Sequence, residues 1–253
     1  MAPSHELLLE QILAIDIGAT NIKFCHVDHE GNLLEVRRRR PTPYPCTPEV
    51  LVAVLSERIA RSTATRVGVG FPGEFIDGRV VRPGNLSRPG GITTDVDPEL
   101  ERQWEGFELQ AALCAATGRD VRVVNDATLA ALGCCGGVGR ELVFTLGTGF
   151  GLALCVDGVR QRARDVGAEP FVDGRTYDQV LGELGRAEDE DHWRELLLRA
   201  IAAFVKEFSA DVVHLAGGNA RRVSPDMFVS IPCDVQIHGN QAPLHGAAKL
   251  FQD

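Results

Sequence analysis

An α/β protein of two similar domains is predicted by two features of the 253-residue chain. Each half opens on a strand, a turn carrying glycine and threonine, and a second strand: "LAIDIGATNIKF" in the first, "RELVFTLGTGFGLALCVDGV" in the second. After each opening, β-branched runs alternate with segments of helical periodicity, the pattern of an α/β architecture. No repeat is visible in residue identity.

In order, Leu13–Asp16, Ile22–Val27 and Leu33–Arg37 read as three strands joined by short turns, the second turn being "DHEGN". "PTPYPCTP" is an extended connector, and "PEVLVAVLSERIARS" a helix with proline at its start. "RVGVGFPG" is a fourth strand, "EFIDGRVVRPGNL" a hairpin with a loop, "DPELERQWEGFELQAALCAATG" largely helical, and "DVRVVND" another strand. "ATLAALGCCGG" is a helix before the second strand–turn–strand. A polar segment, 160–180, leads to the amphipathic helix "DHWRELLLRAIAAFVKEFS". "DVVHLAGGNARR" runs from strand into glycine turn, "CDVQI" is a short strand, and "APLHGAAKLFQD" a closing helix. The expected division is a smaller domain over 1–124 and a larger one over 125–240. The closing helix, about 241–253, is left free to pack back on the first.

Composition narrows the function classes. Hydrophobic residues make up 44% and charged residues 24%, ordinary for a globular protein. A net charge of -9 argues against nucleic acid or an anionic membrane surface as partner. The basic run Arg37–Arg40 reads as a solvated strand end. Seven cysteines, without disulfide or zinc spacing, suggest reduced, buried thiols. "MAPSHELLLEQ" is unlike a signal peptide, and no apolar run reaches the roughly 20 residues of a membrane span. A cytoplasmic protein is the expectation.

Three strands run into turns of Gly, Thr and Asn: "DIGATN", "LGTGFG" and "AGGNA". Such turns are common structural punctuation, yet their backbone amides, unshielded by side chains, also bind phosphate oxygens. The nucleotide motif GxxxxGK[ST] is missing, and "GTGFG" continues into a strand rather than opening a helix. In "VVNDATLAAL", Asn125 and Asp126 end a strand and begin a helix. Either residue would serve as an N-cap; two together exceed capping needs, and the second suits a carboxylate base.

The ordered set "DIGATNIK", "FPGEFIDGRVV", "NL", "VNDATLAALG", "TLGTGFGLAL", "LAGGNA" and "HGAAKL" resembles the ROK family of sugar kinases over roughly residues 12–250, and most of all its polyphosphate/ATP glucokinase branch. "TPYPCTPE" and "TYDQVLG" share that likeness. The resemblance implies a two-domain ribonuclease H-like fold of the actin/hexokinase ATPase type with a central cleft. It implies that Asp16, Gly18, Thr20, Asn21 and Lys23 form a first phosphate motif, Asp16 contacting Mg²⁺ through water. Gly147, Thr148 and Gly149 would form a second, and Gly217, Gly218 and Asn219 an adenosine motif. Asn125 and Asp126 would bind sugar, with Asp126 the general base, and Gly73 and Asn85 would shape the sugar pocket. The implied reaction is phosphoryl transfer from Mg²⁺-bound ATP or polyphosphate to a hexose, glucose foremost. A homodimer is compatible, since relatives often form one.

The chain departs from this pattern in places. Relatives carry an ExGH stretch whose Glu and His hold sugar hydroxyls; "DVGA" stands here, so Asp165 replaces Glu and Ala168 replaces His. Ala19 and Ala216 replace glycines, and the family's CxCGxxGC element is missing, which predicts no structural zinc. A sugar- or nucleotide-binding protein that has lost catalysis is the alternative. A repressor is disfavoured, since only about a dozen residues precede the first strand.

Overall fold

The computed structural model describes residues 11–161 and 166–252. Its contacts divide the chain into two units, Met1–Gly133 with Pro243–Asp253, and Cys134–Ala242. The first unit thus runs past Asn125 to the last turn of the helix that follows it. The cause is local: Leu129, in the helix that follows Asn125, packs with Ile12, Ala14, Cys25 and Leu244 of the first unit.

The first unit is built on a five-stranded sheet. Strands β1 (Ile12–Ile17), β2 (Asn21–Val27) and β3 (Arg38–Pro41) form an antiparallel meander. Helix α1 (Pro48–Ala60) starts on Thr47, whose side chain accepts the Val50 amide. Strand β4 (Arg66–Phe71) then pairs parallel to β1. The hairpin β5 (Glu74–Ile76) and β6 (Arg79–Arg82) precedes helices α2 (Pro98–Trp104) and α3 (Leu109–Thr117), which part at Gly106, where φ is +71°. Strand β7 (Asp120–Asn125) joins parallel to β4 and leads into α4 (Asp126–Cys134), so the sheet order is β3-β2-β1-β4-β7.

The third strand lies further on than Leu33–Arg37. Asp28 Oδ1 accepts the amides of Glu30 and Asn32, closing a tight turn. Leu33 makes a single bridge to Val27, and Glu35 turns in to His26, its carboxylate 2.6 Å from Nδ1. The ladder resumes only at Arg38, opposite Phe24. Arg38 and Arg39 are exposed, as a solvated run should be, but Arg38–Arg40 form an edge strand rather than a strand end, and charge there discourages pairing with another sheet.

The second unit repeats the topology. Strands β8 (Arg140–Leu146), β9 (Phe150–Val156) and β10 (Val159–Arg160) form the meander. A small hairpin, β11 (Pro170–Val172) and β12 (Arg175–Thr176), is followed by α5 (Tyr177–Leu181), α6 (Glu183–Glu188) and α7 (Glu190–Phe208). Strands β13 (Val212–Ala216) and β14 (Asp234–Gly239) add in parallel beside β8, giving β10-β9-β8-β13-β14. The apolar face of α7, with Trp193, Leu197, Ile201 and Phe204, packs in one cluster with Leu142, Phe144, Val213 and Leu215. Helix α8 (Ala242–Lys249) returns to the first unit. Among the described residues no helix is long and apolar enough to cross a membrane.

Candidate active site

In each unit the polar candidates stand where parallel strands end, the usual place for ligands in α/β sheets. In the first sheet Asp16 lies opposite Gly70, and Phe71 opposite Asn125, so Asp16 and the Asn125–Asp126 pair sit at one level, separated by β4. Three adjacent strand ends span about 10 Å.

Asp16 is 5% exposed, and Lys23, its partner across the β1–β2 ladder, places Nζ 2.6 Å from Oδ2. The turn between them is held by its carbonyls. The Thr42 hydroxyl donates to Gly18 O at 2.6 Å, the Tyr44 hydroxyl to Ala19 O at 2.7 Å, and the Thr42 amide to Thr20 O. Gly18 donates its own amide to Asn21 O. Burial pushes the Tyr44 phenol up to about 12, so it stays a donor at neutral pH.

Asn125 is fixed from both sides of its amide: Nδ2 donates to Gly73 O at 2.8 Å, and Oδ1 accepts the Thr128 amide at 3.1 Å. Asp126 Oδ1 accepts the Ala127 amide at 2.7 Å. Gly73 and Gly84 pack backbone to backbone, for a Cβ at Gly73 would fall 2.2 Å from Arg82 O and one at Gly84 2.1 Å from Pro72 O. Asn125 thus shares a group with Gly73, while Asn85 follows Gly84 directly and accepts the Arg88 amide on its carbonyl.

In the second unit the Asn219 side chain joins the two turns by donating to Gly147 O at 3.1 Å. Asn219 also bonds Glu183, whose carboxyl is held below its usual range first by the Arg186 guanidinium and then by Asn219. Gly217 has φ of +96° and would carry a Cβ 2.3 Å from Leu146 O, so only glycine fits. Its amide closes on Gly239 O, as that of Gly147 closes on Gly149 O. The amides of Gly18 and Gly147 are thus spent within their own turns, and that of Gly217 on the end of β14. A cavity of about 630 Å³, lined in part by Arg194, Leu198, Arg222 and Met227, opens at the far end of the 3₁₀ helix Gly218–Arg222.

One residue missed in the sequence organises this unit. The Asp178 carboxylate accepts the Phe150 amide at 2.7 Å and lies so close to Gly149 and Gly167 that a Cβ on either would meet Oδ1 at 2.5 Å. The signal was present in "TYDQVLG", where Thr176 and Gln179 form a capping box around Asp178. Asp165 lies outside the described residues. Ala168 is exposed, just beyond Gly167.

Two five-stranded sheets of one topology, with polar turns at the ends of their parallel strands, define the ribonuclease H-like fold of the actin/hexokinase ATPase type. The ROK family model matches residues 12–166, and the chain belongs to that family. It is 31% identical, with a TM-score of 0.78, to the inorganic polyphosphate/ATP-glucomannokinase of Arthrobacter sp. strain KM, the match covering 95% of this chain and 97% of that one. It is 33% identical over 144 residues to a Streptomyces coelicolor glucokinase, covering 55% of this chain and 41% of the relative. It is 29% identical over 167 residues to a Klebsiella pneumoniae beta-glucoside kinase, covering 62% and 52%. The chain thus matches about half the length of these curated relatives.

Proposed function

We propose that the protein is a sugar kinase, transferring a phosphoryl group from ATP or polyphosphate to a hexose, glucose foremost, with Asp126 as general base. The observation that carries this reading is the placement of Asp126 and Asn125 at the end of β7, level with Asp16 at the end of β1. Phosphoryl transfer asks mainly for alignment and for compensation of phosphate charge. An acceptor hydroxyl beside Asp126 and a donor phosphate toward Asp16 and Lys23 would satisfy the first. The kinase names of the three relatives support the class.

Each group has a role in this reading. Asn125, gripped by Gly73 and Thr128, orients the sugar; Asp126 takes the hydroxyl proton as the new bond forms. Lys23 offers positive charge to the donor. Asp16 is a hard oxygen donor, which fits Mg²⁺ held through water and donor phosphates; bound there, Mg²⁺ would offset phosphate charge. In the second unit, Thr148, Gly149, Gly218 and Asn219 receive the donor, and the cavity beyond Arg222 has room for a nucleoside.

Ala168 supports a second reading, a binder without turnover, because it offers sugar only a methyl group. The experiment is a kinase assay of the purified protein pairing several hexoses with ATP and with polyphosphate, in Mg²⁺. Turnover with glucose is the expected result. A folded protein that binds sugar or nucleotide and turns over no pair overturns the kinase reading and leaves the binder.

A further inference from the structure

Away from these turns, the second sheet carries a diagonal of polar and sulfur side chains on one face. Cys155 lies opposite Glu141 across the β8–β9 ladder. On the other side Val212 is opposite Glu141, which puts His214 two residues along on the same face; Gln236 is opposite His214, which puts His238 there likewise. The opposite face, with Leu142, Phe144, Val213 and Leu215, is the hydrophobic core.

The groups meet closely and away from water. His214 and Glu141 side chains are 2% and 3% exposed, with Nε2 2.8 Å from Oε2. Cys135, in the loop after α4, completes a trio: its sulfur, a Glu141 oxygen and a His214 ring nitrogen lie within 4.8 Å of one another. The Cys135 thiol also hydrogen-bonds Cys155. Glu141 is held by the amides of Gly136 and Gly137, both at 2.8 Å, and His214 Nδ1 lies 2.9 Å from His238 Nε2.

We propose that Cys135, Glu141 and His214, with Cys155 as fourth donor, bind a structural zinc ion in the second unit. Thiolate, imidazole and carboxylate together are the donor set of zinc. The surroundings are those of a supported metal site: His238 accepts the Nδ1 proton of His214, leaving Nε2 as ligand, and the two glycine amides orient the carboxylate. Binding releases the thiol protons of Cys135 and Cys155 to solvent and leaves the one His214 proton on Nδ1, facing His238; no oxidation occurs. The donors come from a loop and three strands far apart in sequence, so no zinc spacing shows in the chain, and zinc here departs from the expectation of no structural zinc, which rested on the missing CxCGxxGC element alone.

The test is a Co²⁺ titration of the full chain after chelator treatment, read by absorbance, with Zn²⁺ competition. One Co²⁺ per chain is expected, with a thiolate-to-cobalt charge-transfer band in the near ultraviolet that Zn²⁺ abolishes. Cys135→Ser should remove or sharply weaken the band, while Cys114→Ser, in the first unit, should leave it. His238→Ala should keep the band and weaken Zn²⁺ affinity about 10–100-fold. Wild-type protein that takes up no Co²⁺, or takes it up without this band, overturns the proposal whether or not the variants fold. A band of undiminished intensity in folded Cys135→Ser does so as well.

Discussion

At the scale of single residues, Asp126 and the turn glycines make opposite demands on an experiment. Asp126→Asn keeps volume and the bond to the Ala127 amide, so kcat should fall about 10²–10⁴-fold with a smaller change in KM; steady-state kinetics would check it. Gly147 and Gly218 have no described atom within 4 Å of a built Cβ. Gly218→Ala should therefore leave the melting temperature unchanged while weakening donor binding about tenfold or more, one tenfold being about 1.4 kcal/mol; calorimetry with a non-hydrolysable nucleotide and with polyphosphate tests this. Gly149→Ala drives a methyl into the Asp178 carboxylate and should lower the melting temperature even without ligand. The strand-end residues were legible in the sequence because polar residues closing apolar strands stand out. Asp178 was not, because its partner Phe150 is 28 residues away and only the folded chain sets a carboxylate between two glycines.

Among the elements, most strands and helices followed from periodicity and caps; β11, β12 and α5 lay in a stretch read only as polar, α6 just beyond it, and β3 was displaced. "LLEVRRRR" has no strict alternation, so its register was decided by the Asp28 turn and by Glu35 binding His26, neither of which local pattern reveals. Helix α8 gives the sharpest packing test. A Cβ on Gly246 would fall 1.9 Å from Leu129 O, and one on Gly68 would fall 2.8 Å from Ala247 Cβ. Gly246→Ala should destabilise the first unit by about 1–3 kcal/mol. Hydrogen exchange should show the loss in β1 and α4 first, with β8 and β13 keeping their protection.

For the whole molecule, acid sensitivity follows from carboxylates whose folded pKa is depressed. Burial would raise Glu141, but the Gly136 and Gly137 amides and His214 bring it below 4.5; Glu35, likewise opposed by burial, is lowered mainly by His26. A depressed carboxylate contributes stability above its unfolded value, and that contribution is lost as pH falls through the folded one. Denaturant midpoints should thus be flat near neutrality and decline below about pH 4.5, and Glu35→Gln should flatten the decline. The paired topology was legible as two similar openings; the contacts by which Leu129 joins the core of Ile12, Ala14 and Cys25 were not. The return of α8 to the first unit also bears on how the chain is made on the ribosome. Residues Cys134–Ala242 are all synthesised between α4 and the helix that covers Ile12, Ala14 and Cys25. At about 5–20 residues per second, that apolar face waits roughly 5–20 s for its cover. During that interval the nascent first unit would offer this face to a holding chaperone, and the second unit gains its last strand, β14, only at the end of it.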